Sequence, residues 1–166
     1  MAKKMLVVYY SWSNGNTEGI AKQLARACGA DIERIETIVA YPKDYDATVR
    51  QGKREVEEGF KPDIQALTHD PSEYDVVAIG TPTWWYTMAP AVAAFLSEHS
   101  WEGRTVVPFA TSGGWPGSVI SDMEEVAAGA SFGPALDARF DSSGGARLAS
   151  PQGDIDEWVE DVKGIL

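Results

Sequence analysis

Apolar residues along the chain switch repeatedly between two periods. From Lys3 to Tyr10 the run Met5, Leu6, Val7, Val8, Tyr9 and Tyr10 has the composition of a buried strand. From Glu18 onward, Ile20, Ala21, Leu24, Ala25 and Cys28 recur at helical spacing. Ala30 to Ile38 alternates loosely, with Ile32, Arg34 and Glu36 among polar neighbours, and predicts an edge strand. Asp46 to Glu58 predicts a helix with Tyr45, Val49, Gly52 and Val56 on its apolar face; Lys53, Arg54, Glu55, Glu57 and Glu58 largely form its solvated face. Gly59 and Pro62 end it.

The second half repeats the alternation. Asp75 to Gly80 is nearly continuous in apolar residues, as a central parallel strand covered on both faces requires. Pro90 opens a helix carrying Val92, Phe95 and Leu96; Thr105 to Ala110 is the next strand, followed by a helix through Val119, Ile120, Met123 and Val126. Phe132 to Asp141 predicts a last strand, Ser142 to Gly153 a Gly/Ser-rich loop, and Ile155, Trp158, Val159 and Val162 a closing helix. Five strands alternating with five helices predict an α/β fold, a doubly wound parallel sheet with helices on both faces. No internal repeat or linker divides the chain, so one domain over residues 1–166 is expected. In such sheets ligands lie beyond the carboxyl ends of the strands, where strand order reverses, and loops 11–17, 81–87 and 111–117 are the ones that rim brings together.

The first of these loops, Ser11-Trp12-Ser13-Asn14-Gly15-Asn16-Thr17, joins a buried strand to a helix N-terminus through small, hydrogen-bonding residues. A helix start presents unpartnered N–H groups and about half a positive charge, so an anion fits without Lys or Arg. The bland alternative is that Asn14, Asn16 or Thr17 only caps the helix. The loop is neither a P-loop, which needs a Lys after the glycine, nor a dinucleotide fingerprint with three spaced glycines. Trp12, Trp84, Trp85 and Trp115 all fall in the three rim loops, an arrangement suited to a flat ligand, with at least one expected to pack beneath the loops.

Composition narrows the partners. A net charge of −11 and a pI near 4.5 argue against a nucleic-acid or anionic-membrane surface and favour basic partners. The N-terminal apolar run is too short for a secretory segment and no later run approaches a membrane span, so a cytoplasmic location is expected. Cys28 lies on the first helix's apolar stripe and reads as a small core residue. A hydrolase built on Ala110-Thr111-Ser112-Gly113-Gly114 needs a His after the nucleophile, whereas His69 and His99 precede it. A magnesium-dependent phosphoacceptor needs acidic residues where this chain has Tyr10-Ser11 and Gly80-Thr81, and neither His has a metal-ligand neighbour.

Three segments in order carry a family resemblance: Tyr10-Ser11-Trp12-Ser13 with Gly15-Asn16-Thr17, then Thr81-Pro82-Thr83-Trp84-Trp85, then Phe109-Ala110-Thr111-Ser112-Gly113-Gly114. Together with Tyr41-Pro42 and Tyr45 they resemble the flavodoxin family, in its bacterial branch with Trp-Trp and Thr-Ser-Gly-Gly loops. One residue, Asn14, is additional before the glycine. The resemblance implies the strand order 2-1-3-4-5 and FMN as cofactor. It implies phosphate contacts from Ser11, Ser13, Gly15, Asn16 and Thr17, with Trp12 and Asn14 of the same loop also in the cofactor site, ribityl and ring contacts from Thr81, Pro82, Thr83, Trp84, Trp85 and Tyr86, and the ring's polar edge near Thr111, Ser112, Gly113 and Gly114. It implies an electron carrier serving redox partner proteins, or alternatively an NAD(P)H-dependent reductase with a small quinone-like acceptor. Members that stabilise the one-electron-reduced flavin turn a peptide in the loop after the third strand. Because Thr83 to Thr87 holds no Gly, Asn or Asp to take φ > 0 cheaply, mainly two-electron behaviour is expected.

Overall fold

The computed structural model describes residues 2–166. Strands β1 (Met5–Tyr9), β2 (Asp31–Arg34), β3 (Val76–Trp84) and β5 (Thr105–Ser112) pair in parallel in the order β2-β1-β3-β5. Beyond β5 lie two short parallel strands, β6 (Ser131–Phe132) and β7 (Leu136–Arg139). The fold is thus the flavodoxin-like order expected, with its fifth position occupied by a broken strand. The break falls at Gly133-Pro134, where proline removes a ladder donor. It lies beside Pro108 of β5. Val106 accepts from Gly133 while Thr105 donates to Asp75, so backbone alternation turns Pro108's missing N–H toward that break, which lets a proline sit in an interior strand.

Strand alternation divides the core into two layers. Leu6, Val8, Val77, Ile79 and Val106 meet Val92, Phe95 and Leu96 of α3 (Pro90–Glu98) and Met123 of α4 (Val119–Val126). Met5, Val7, Val76, Ala78, Val107 and Phe109 meet Ile20 and Leu24 of α1 (Asn16–Cys28) and Ile155 and Trp158 of α5 (Gln152–Lys163). Cys28 packs half-buried at the edge of the second layer, and burial pushes its thiol pKa up.

Three expectations fail here. The edge strand stops at Arg34, because after Ile35 N–H makes the last bond to Tyr9 carbonyl the chain leaves β1 and crosses to an isolated antiparallel bridge, Thr37 with Ile64. Helix α2 (Tyr45–Glu58) buries Thr48, Gly52 and Glu55 and leaves Tyr45 exposed. Glu55 is inside because the Tyr41 hydroxyl donates to one carboxylate oxygen at 2.6 Å and the Gln51 amide to the other at 2.7 Å, which offsets its desolvation. Finally, β3 does not end at Gly80. It runs to Trp84 and folds back as a hairpin with β4 (Thr87–Met88), leaving Trp85 and Tyr86 as a two-residue turn.

Candidate functional site

A cavity of about 370 Å³ opens at the carboxyl ends of β1, β3 and β5, within the size range of small-molecule sites. At one end stands the start of α1. Gly15 precedes it with φ 71°, no side chain caps the helix, and the Ser11 hydroxyl accepts from Glu18 N–H only at 3.4 Å. The first turn therefore keeps donors for an outside anion. Thr17 is buried with its hydroxyl 2.8 Å from that of Thr111, which couples the first and third loops.

The aromatic wall has a clear division of labour. Trp84 stands edge-on to Tyr41, Tyr10 and Trp12, with ring centroids 5.0, 5.9 and 6.4 Å away. Gly52 leaves room for it, since a Cβ there would lie 3.1 Å from the indole. Trp84 is thus the tryptophan that packs beneath the loops. Trp85, Tyr86 and Trp115 are 40%, 58% and 61% exposed.

Trp85 and Tyr86 have φ 51° and 68°. The expectation that bulky residues keep this turn out of the left-handed region is wrong. A two-residue hairpin loop of the type whose twist matches the strands with positive φ at both positions forms here, and tertiary contacts hold the conformation that Gly or Asn would take for less. The Trp85 indole N–H donates to Val49 carbonyl at 3.0 Å and Lys53 lies over its ring at 5.3 Å. Tyr86 carbonyl accepts from Ser118 N–H at 3.0 Å. The steric ground for mainly two-electron chemistry is therefore absent.

Of the residues named from sequence, Trp12, Ser13, Asn16, Thr17, Pro82, Thr83, Trp84, Trp85, Thr111, Ser112 and Gly113 line this cavity. Six do not. Ser11 is buried below the loop, Asn14 and Gly15 face a neighbouring depression, and Tyr86 lines an adjoining opening. The Thr81 hydroxyl is engaged with Ala89 N–H and Pro82 carbonyl, while Gly114 N–H donates to Ser112 Oγ. Sequence reasoning missed the fourth wall, Phe140 to Gly145. Asn14 amide donates to Gly144 carbonyl and Asn16 amide to Gly145 carbonyl, so the additional Asn14 ties the first loop to this one. The Gly/Ser composition of 142–145 was its signal. Thr48 and Val49 of α2 also line the cavity and carried no signal.

Electrostatically the cavity is sparse. Its titratable side chains are Tyr45 and Asp141. Hydrogen bonds from Ser143 backbone N–H at 3.0 Å and hydroxyl at 2.8 Å hold the Asp141 carboxyl below its ordinary range. Ser112 Oγ contacts Asp137, not a histidine, at 3.4 Å; His69 and His99 stand in the connections entering β3 and β5 at the opposite rim. Among the described residues no group of three or more His, Cys, Asp or Glu could hold a metal ion.

The sequence model described as Flavodoxin matches residues 4–137. The chain belongs to the flavodoxin family. A flavoprotein structure from Lactobacillus acidophilus NCFM, crystallised in complex with FMN, is 25% identical with a TM-score of 0.70, covering 95% of this chain and 99% of that one. A flavoprotein structure from Bacteroides eggerthii DSM 20697 is 28% identical with a TM-score of 0.77, over 96% and 97% of the two chains. An NAD(P)H dehydrogenase (quinone) from Cupriavidus metallidurans is 33% identical over 103 residues, covering 57% of this chain. The match spans 46% of that relative's length. Among the described residues of this flavodoxin, no helix is long and apolar enough to cross a membrane.

Proposed function

We propose that this flavodoxin binds FMN non-covalently in the rim cavity and acts as an electron-transfer protein. The observation that carries the reading is the uncapped start of α1 opening onto a cavity whose far walls are aromatic, a phosphate cradle joined to a slot for a planar ring. Fit is supported by an unsatisfied group: Thr83, on the cavity wall, has a buried hydroxyl without a hydrogen-bond partner. Asn16 and Thr17 backbone N–H groups and the Ser13 and Thr17 hydroxyls serve the phosphate. Trp85 and Trp12 flank the ring, Thr83 and the Thr111 to Gly113 backbone serve its polar edge, and Trp84 stiffens the wall from beneath. Bound FMN supplies the redox chemistry; the protein orients it and limits water on its buried side.

The test is a titration of apoprotein with FMN and with FAD, followed by absorption. FMN saturating at lower concentration than FAD is the expected result, and a protein that ignores FMN refutes the reading. Redox partners with basic docking surfaces follow from the net charge of −11.

A second reading, an NAD(P)H-dependent quinone reductase, is favoured by one feature. An opening of about 260 Å³ between Trp85, Tyr86 and Trp115 adjoins the cavity and is lined by no acidic or basic side chain, which suits a flat neutral acceptor. Steady turnover of a soluble quinone with NAD(P)H selects this reading; its absence, with rapid exchange with a redox protein, selects the carrier.

A further inference from the structure

Glu18 is the third residue of α1, so a carboxylate stands within the turn that the FMN reading assigns to a phosphate. Acidic side chains complement the helix dipole there but repel a second anion. Glu18 is not left free. One oxygen accepts from Lys22 at 3.0 Å; the other accepts from Arg34 Nη1 at 2.6 Å and from the Tyr9 hydroxyl at 3.0 Å. Lys22 first, then Tyr9, hold its carboxyl below the usual range, so it is a charged group at neutral pH.

Arg34 does more than pair with Glu18. It ends β2, opposite Tyr9 of β1, and its Nη2 donates to the Ser11 carbonyl at 2.8 Å while Nε faces Glu36 at 3.2 Å. One planar fork thus links the first residue of the phosphate loop to the carboxylate in the first helical turn. The rim cavity itself has neither lysine nor arginine on its walls.

We propose that Arg34 is a positioning residue that sets the preference for a phosphorylated flavin, by neutralising Glu18 and fixing the Ser11 carbonyl away from the anion. Glu18 in turn holds Arg34 in place, so the pair acts as one unit. Lys22 also pairs with Glu18 but is 57% exposed, and of the two cations it is Arg34 that also bonds the Ser11 carbonyl and so ties the carboxylate to the phosphate loop. The proposal rests on the FMN reading.

The experiment compares FMN with riboflavin, which lacks the phosphate, on wild type, Arg34→Gln, Arg34→Lys and the double variant Arg34→Gln/Glu18→Gln. Arg34→Gln should weaken FMN by about 10-fold at low salt, the scale of an uncompensated charge at a helix terminus, while riboflavin affinity stays within about 2-fold. Removing the carboxylate in the double variant should restore most of the loss, and Arg34→Lys should restore part. The FMN effect should shrink as salt rises and screening shortens. Equal losses for FMN and riboflavin, or no recovery in the double variant, would reduce Arg34 to a structural brace and overturn the proposal. Failure of wild type to bind FMN would instead overturn the underlying reading. Arg34→Lys keeps the comparison usable if the neutral variant does not fold.

Discussion

Replacing Gly117 with alanine tests whether the loop after β5 holds the aromatic hairpin turn in its strained form. Gly117 has φ 56°, and a Cβ built there would lie 2.3 Å from the Tyr86 carbonyl oxygen and 2.7 Å from Tyr86 Cα. Those are backbone atoms, so no rotamer change relieves the clash. Two costs add: about 1–2 kcal/mol for an L-residue in the left-handed region, and about 1–3 kcal/mol for overpacking that shifts the turn and strains the Ser118 to Tyr86 hydrogen bond. Gly59→Ala isolates the first cost, because Gly59 has φ 65° at the end of α2 and a methyl group there would meet nothing within 4 Å. Both variants share the entropy that alanine removes from the unfolded chain, which cancels in the comparison. Urea unfolding of the apoproteins should place Gly117→Ala below Gly59→Ala by about 1–3 kcal/mol at unchanged m-value. Flavin affinity should fall only for Gly117→Ala, whose displaced turn forms a cavity wall. Equal stabilities would mean that the turn does not lean on Gly117, and the account of how Trp85 and Tyr86 are held would fail.

Thr17→Ala removes the hydroxyl shared with Thr111 and should weaken FMN by about 1.5–3 kcal/mol if that hydroxyl also meets a charged oxygen; unchanged affinity in a fluorescence titration places the phosphate elsewhere. Electron transfer from a basic donor should slow steeply as salt rises, because an acidic surface acts mainly through encounter rate; a flat salt profile in stopped-flow traces favours a small neutral substrate. Burial against Phe95 and Trp101 lowers the His99 pKa, with Glu98 and Asp70 opposing. Its neutral form is favoured in the fold, so its contribution is full above about pH 6.5 and is lost as pH falls through the lower folded value; His99→Gln should flatten that part of the melting-temperature profile, and an identical slope would refute the assignment.

Much of the molecule was legible because its long elements carry strong periods. The runs at Met5–Tyr9, Val76–Gly80 and Thr105–Ala110 could only be interior strands, and Ile20, Leu24, Ile155 and Trp158 mark helices packed on one face. The phosphate loop was legible as small residues between two such elements. What escaped depends on tertiary partners. Glu55 looks solvated until Tyr41 and Gln51, on separate stretches of chain, supply its hydrogen bonds. The hairpin at Trp85-Tyr86 lacks every usual turn residue, and contacts from Val49, Lys53, Gly117 and Ser118, none of them local to the turn, explain it. The wall at Phe140 to Gly145 is held by two asparagine amides some 130 residues earlier, a pairing no local pattern announces.

The broken strand beside β5 also bears on how the protein behaves when crowded. A sheet's outermost strand offers bare N–H and C=O groups on which another chain can grow a strand, and long, flat, apolar margins aggregate. Here β6 has two residues and β7 four, and between them Pro134 has no donor and gives its carbonyl to the Trp158 indole at 2.8 Å. The opposite margin, β2, is four residues long with Asp31, Glu33 and Arg34 among them, and Glu33 Oε1 takes the backbone N–H groups of Thr68 and His69. Neither margin presents a template long enough to recruit a neighbour, so the strongly apolar runs of β1, β3 and β5 stay shielded from intermolecular pairing at concentrations where an unbroken margin would invite it.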